Sequence, residues 1–265
     1  MRIGLTDETF GVKPGAKRGK IELATTIAIS GKGGTGKTTI AALLIRCLIG
    51  KSKSAVLAVD ADANACLGLT LGVEPDETVA DLRDEALQKK ADGGISRVEA
   101  FEYGMHQLIT EAKGFDLLTM GRPEGPKCYC AVNNLLRQFL DDLGDQYGYV
   151  VADNEAGMEH LSRRTTNKVD LLLIVAEPTK VGLVTAQRII ELCKSLPISV
   201  KEIGVIWNRT DRAVEAEDLK VLGCVPNDDN VLNAAIDGKT VFDIPDDSPA
   251  LTAVQEILQQ KMDIN

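Results

Sequence analysis

Short, continuously apolar runs alternate along this chain with longer amphipathic ones. The apolar runs predict strands at 24–30, 55–60, 116–119, 149–153, 171–176, 203–207 and 221–225. Several, such as LLLIVA, carry no polar residue at all, the pattern of a parallel strand covered on both faces. The amphipathic runs predict helices at 37–49, 131–142, 183–195 and 249–262. In the third of these Leu183, Ala186, Ile190 and Cys193 recur at helical spacing. Repeated strand–helix units predict an α/β fold: a doubly wound, mostly parallel sheet flanked by helices. No internal repeat, low-complexity tract or linker interrupts the pattern. Residues 21–265 are therefore expected to form a single domain, behind an extension at 1–20 rich in Gly, Lys and polar residues.

Charge and composition narrow the partners. The chain has 265 residues, a hydrophobic fraction of 44% and a net charge of −9, with a pI near 4.9. An acidic surface repels phosphate backbones, so no nucleic-acid partner is expected. The densest basic segment, Lys13 to Lys20, holds four cations and reads as a solvated arm. No apolar stretch reaches transmembrane length, and MRIGLTDETFGVKPG lacks the apolar core of a signal peptide. The expectation is a cytoplasmic protein without a membrane partner, whose six cysteines are mostly reduced.

The chemistry begins at Gly31-Lys32-Gly33-Gly34-Thr35-Gly36-Lys37-Thr38-Thr39, between the strand-like TTIAIS and the helix-like IAALLIRCLI. A phosphate-binding loop requires this strand–loop–helix context. Glycine lets the backbone curl around an anion. The N–H groups from Gly33 to Thr39 and the helix N-terminus then face the phosphates of ATP. Lys37 is placed to neutralise the β- and γ-phosphates, and the Thr38 hydroxyl to bind Mg²⁺. The run YVVAD places Asp153 at a strand end, where it would hold Mg²⁺ through water; Glu155 remains an alternative base. Gly157 is expected to give the following segment freedom to respond to the γ-phosphate.

With its second lysine, the loop resembles the deviant Walker A of the SIMIBI group, which includes MinD, ParA and the nitrogenase iron protein. The resemblance implies an ATP-sandwiched homodimer in which Lys32 reaches the partner's nucleotide. Val59-Asp60-Ala61-Asp62-Ala63-Asn64 resembles the group's switch I, with Ala63 where a proline is common. That implies Asp60 near the magnesium's water shell and Asp62 orienting the attacking water. Asn208 and Arg209 after IGVIW, and Pro226 and Asn227 after LGCV, resemble the group's adenine contacts. No guanine signature is present, which favours ATP over GTP. The implied activity is ATP hydrolysis coupled to dimerisation.

The segment GRPEGPKCYCAVNNLLR carries Cys128 and Cys130 just before a predicted helix, with Lys127 and Gly125 alongside. A helix N-terminus and a neighbouring cation favour thiolates. One chain supplies two sulfurs, whereas a closed tetrahedral or square-planar site needs four ligands. Two copies meeting near a two-fold axis supply them. A metal site shared between two copies and the dimer implied by Lys32 therefore explain each other. Cys47, Cys66, Cys193 and Cys224 stand singly and read as packing residues; His106 and His160 have no ligand spacing to another His or Cys and read as structural or hydrogen-bonding. Taken together, GKGGTGKTT, DADAN, GRPEGPKCYC followed by NNLLR, and DNEAGMEHLSRR resemble the CooC-type accessory ATPases. These serve nickel insertion into carbon monoxide dehydrogenase and, in a related branch, acetyl-CoA synthase. The resemblance implies a nickel metallochaperone with such an enzyme as client. The alternative is an ATP-gated redox or positioning switch, like the nitrogenase iron protein or MinD, without nickel delivery.

Overall fold

The computed structural model describes residues 24–51, 55–88, 104–122, 139, 146–156, 168–212, 214 and 217–262. The strands are β1 (Thr25–Gly31), β2 (Val56–Ala61), β3 (Thr110–Glu111), β4 (Phe115–Thr119), β5 (Tyr149–Asn154), β6 (Lys168–Ala176), β7 (Ser199–Asn208) and β8 (Val221–Val225). They form one sheet in the order β3-β4-β2-β5-β1-β6-β7-β8. Every neighbouring pair is parallel except the antiparallel edge pair β3–β4. The helices among the described residues are α1 (Lys37–Leu48), α2 (Leu67–Leu71), α3 (Val79–Gln88), α4 (Lys180–Ser195), α5 (Asp229–Ile236) and α6 (Pro249–Met262), with 3-10 turns at His106–Leu108 and Val241–Asp243.

Side chains alternate across the sheet, and both faces are apolar. Ile27, Ile29, Val56, Ala58 and Val151 pack with α1 and with Leu251, Val254, Ile257 and Leu258 of α6. On the opposite face Ala28, Leu172, Ile174, Val205 and Trp207 pack with Ala186, Ile189 and Cys193 of α4, while Leu57, Val59 and Leu118 form a neighbouring cluster. This two-sided cover explains the uninterrupted apolar runs. Helix α1 packs on β1, β2 and β5 and against α2 and α6, and Ile40 through Ile45 are all buried.

The predicted fold class is the one observed. The differences have local causes. Strand β7 starts at Ser199 rather than 203, because SVKEI is exposed or half-buried and gives no apolar run. Helix α4 starts at Lys180, one turn earlier than expected, because the Thr179 hydroxyl caps it by accepting from Gly182 N at 3.0 Å. Helices α2, α3 and α5 were not predicted. The first is five residues long, too short for a period. The second depends on a local cap in which Thr78 Oγ1 and Asp81 Oδ2 exchange hydrogen bonds with each other's backbone. The third leaves Leu232 and Ile236 exposed. Of the helix predicted at 131–142 only Phe139 is described, helical and buried. The extension at 1–20 lies outside the described residues. No helix among them is long and apolar enough to cross a membrane.

Candidate nucleotide site

The phosphate loop leaves the C-terminal end of β1, the central strand of the parallel array. Gly31 passes against the Val175 carbonyl of β6, where a Cβ would collide. Thr35 closes the loop: its Oγ1 donates to the Lys32 carbonyl at 2.9 Å and its N–H points at the same oxygen at 3.4 Å. Gly36 enters α1 with φ 89°, a left-handed conformation suited to glycine. No side chain caps α1, and its first turn holds no acid. The first-turn N–H groups therefore face the loop with no side-chain acceptor on them, the arrangement that binds phosphate. The two lysines differ in access. Lys37 is buried, whereas Lys32 is exposed on the loop's outer side.

Beside the loop, the strand ends carry carboxylates. Asp60 of β2 and Asp153 of β5 are paired in register and are 0% and 1% exposed. Asp60 accepts from Leu67 N at 2.8 Å and Asp62 N at 3.2 Å. Asp153 is hydrogen-bonded by the Thr38 hydroxyl, yet its Oδ1 has no partner. Burial pushes the Asp153 carboxyl up to about 7, with Asp60 and Asp62 adding to the rise while Thr38 and Lys37 oppose it. Burial likewise pushes Asp60 up to about 6, against the bonds from Leu67 and Asp62. Two buried acids, one with a bare oxygen and a threonine hydroxyl beside it, fit a hydrated divalent cation. Among the described residues no three His, Cys, Asp or Glu side chains form a metal cage. A cation here would therefore complete its shell from phosphate and water, as Mg²⁺ does.

Asp62 stands further out, half-buried. Its Oδ1 accepts from both nitrogens of Asn64 at 2.9 Å. That turn carries Ala65 at φ 48° and exposes Cys66. Of the four single cysteines read as packing residues, Cys66 departs from that reading. It sits in the turn before α2, with its thiol pushed up by partial burial and by Asp60, Asp62 and Asp153. Sequence reasoning also missed Asn154. It is buried and its Nδ2 donates to Ile29 O at 2.9 Å, tying β5 to β1 just below the loop. Ala156, two residues on, comes up against Gly33.

On the other side of the loop, a cleft of about 560 Å³ is bordered by Gly36, Thr39, Asn208, Arg209, Pro226 and Asn227. The four residues expected at the adenine thus meet at one wall. Asn208 is buried, and its Nδ2 donates to the Thr35 carbonyl at 2.7 Å. Arg209 holds φ 59° and pairs with Glu177 at 3.3 Å. Asn227 Nδ2 reaches the Arg209 carbonyl at 3.5 Å.

Residues 26–241 match the family model for the CobQ/CobB/MinD/ParA nucleotide binding domain. The chain belongs to this family. It is a P-loop ATP hydrolase of the MinD/ParA type. An uncharacterized ATP-binding protein of Methanocaldococcus jannaschii is 39% identical over 88% of this chain and 97% of its own. The carbon monoxide dehydrogenase accessory protein CooC of Rhodospirillum rubrum is 33% identical over 84% of this chain and 90% of its own. The septum site-determining protein MinD of Pyrococcus horikoshii, solved in complex with Mg-ADP, superposes with a TM-score of 0.63 at 22% identity, covering 90% of this chain and 96% of that one. Within the P-loop family frame, Cys128, Cys130 and Gly157 lie outside the described residues.

Proposed function

We propose that this chain is a cytoplasmic, ATP-gated nickel metallochaperone that works as a homodimer. Its client would be a nickel-containing carbon monoxide dehydrogenase or acetyl-CoA synthase. The observation that carries the reading is Cys128-Tyr129-Cys130 in a chain 33% identical to a carbon monoxide dehydrogenase accessory protein. Two thiolates per chain make half a site, and a two-fold dimer completes it. Nickel is the cargo, and zinc competes for the same sulfurs.

The nucleotide site supplies the gate. The loop from Gly33 to Thr39 cradles the phosphates of ATP, and the buried Lys37 stabilises charge on the β- and γ-oxygens. The adenine takes the cleft beside Asn208, Arg209, Pro226 and Asn227. Thr38, Asp60 and Asp153 would hold Mg²⁺, the last two partly through water; when bound it neutralises charge on the phosphate oxygens. Asp62 keeps one carboxylate oxygen free of Asn64, and that oxygen orients the water that attacks the γ-phosphorus. The bond to the β-bridging oxygen breaks, and ADP and phosphate form. Lys32, exposed on the loop, extends its ammonium to the partner's nucleotide, so the dimer closes on ATP and opens after hydrolysis. Metal affinity then differs between two states of one assembly, which is what coupling requires.

The dimer is tested by measuring molecular mass by light scattering with Asp62→Asn, which holds ATP unhydrolysed. ATP is expected to shift the mass from one chain to two. The same variant carrying Lys32→Ala is expected to bind ATP and stay at the lower mass. An ATP-bound Lys32→Ala protein that dimerises as before would remove the role given to Lys32.

A further inference from the structure

The sheet carries a third polar residue level with the two acids. Thr119 ends β4 and is in register with Asp60, which is in register with Asp153. All three project to the same face. Phe115 and Leu117 of β4, Val56 and Ala58 of β2 and Val151 of β5 pack in the α1-side cluster, and alternation places Thr119, Asp60 and Asp153 with them. Thr119 is 1% exposed and its Oγ1 has no hydrogen-bond partner. The other unpartnered buried oxygen in this row is Asp153 Oδ1. Two orphaned oxygens thus flank Asp60, whose carboxylate takes N–H donors from Asp62 and Leu67. A buried hydroxyl without a partner is costly. Here it stands in register with one of the two buried acids.

We propose that Thr119 is a positioning residue for the divalent cation of the nucleotide site, with its hydroxyl fixing a shell water against Asp60. The inference rests on the magnesium reading given above. The chemistry is complementary. A metal-bound water can only donate, and needs two acceptors; the Asp60 carboxylate is one and Thr119 Oγ1 the other. The need for that second acceptor accounts for a hydroxyl rather than a methyl at this buried position. Partners of this outer kind orient the ligands that touch the metal. Thr119 also sits where β4 gives way to the segment bearing Cys128 and Cys130. There Met120 N donates to the Asp60 carbonyl at 2.8 Å and Ala80 N to the Met120 carbonyl at 3.0 Å.

The test compares Thr119→Val and Thr119→Ser with the natural protein, reading binding of a fluorescent ADP analogue against Mg²⁺ concentration. In Thr119→Val the half-saturating Mg²⁺ concentration is expected to rise roughly ten-fold, with metal-free ADP affinity unchanged and Thr119→Ser within about two-fold of the natural protein. The metal-free melting temperature of Thr119→Val is expected to be no lower than that of the natural protein. If it is lower, Thr119→Ala read against Thr119→Ser measures the same loss. A role in packing alone predicts the reverse order, because Ser loses the methyl and Val keeps the shape. Natural Mg²⁺ dependence in Thr119→Val, or a Ser variant worse than Val, overturns the inference and leaves the magnesium site standing. A natural protein whose ADP binding ignores Mg²⁺ overturns both.

Discussion

Asp60 and Asp153 hold their carboxyls inside the protein at the same level of adjoining strands, each raised above the usual carboxylate range, to about 6 and about 7. A raised folded pKa means that the folded state binds more protons than the unfolded chain between 3.8 and those values. Stability from these groups therefore falls as pH rises through that window, by roughly 1.4 kcal/mol per unit of difference in pKa. Without Mg²⁺, the melting temperature is predicted to fall between about pH 4 and pH 7, and saturating Mg-ADP to remove most of that fall. Asp153→Asn is expected to melt higher than the natural protein at the upper end when metal-free, and to lose the Mg²⁺ response. A metal-free melting temperature flat across the window would show that the pair is not held as described. Asn208 acts at the loop. Its replacement by Ala removes the bond to the Thr35 carbonyl, and a weakening of ATP binding by about 1–2 kcal/mol is expected by calorimetry. Lys37, Thr38 and Asp153 were legible in the sequence because motif spacing along one chain fixes them. Thr119 and Asn154 were not, because only strand register brings them to the site.

At the scale of elements, the region beside the Asn208 cleft depends on one side chain. Asp228 caps α5 by accepting from Asn230 N at 2.8 Å. It also accepts from the Ser248 hydroxyl and from Ala250 N at 3.0 Å at the start of α6. Burial alone would push its carboxyl up, but these bonds hold it below the usual range. Its contribution is thus present above the unfolded value of 3.8 and is lost as pH falls through the lower folded value. Asp228→Ala is expected to cost about 2 kcal/mol in denaturant unfolding at neutral pH, more than a cap alone, with the difference closing in acid. Leu251→Ala in α6, buried against α1, should cost about 2–5 kcal/mol. Strands β1, β2, β4, β5 and β8 were read to within one residue at each end, and α6 to the residue, because continuous apolar runs and a full helical period leave one reading; β6 and β7 begin three and four residues before their apolar runs. Helices α2 and α5 escaped because their formation depends on a turn and a cap, not on a stripe.

For the whole molecule, the sheet order places the phosphate loop, both acids and the end of β4 on neighbouring strand ends. Asp60 is in register with Thr119 and its carbonyl accepts from Met120 N, at the start of the sequence that runs on to Cys128. A net charge of −9 argues against capture by DNA or anionic vesicles, and co-sedimentation with either at about 0.15 M salt is expected to be absent. The central claim is that ATP closes two copies around one thiolate-bound metal. Its most direct test is an anaerobic Ni²⁺ titration with and without ATP, following thiolate-to-metal absorbance and molecular mass together, beside the double variant Cys128→Ala/Cys130→Ala. The account predicts one nickel per two chains, an affinity that changes with ATP, and loss of binding in the double variant while ATP binding persists. An ATP-bound dimer that takes up no metal, or a variant that binds nickel as well as the natural protein, would contradict it.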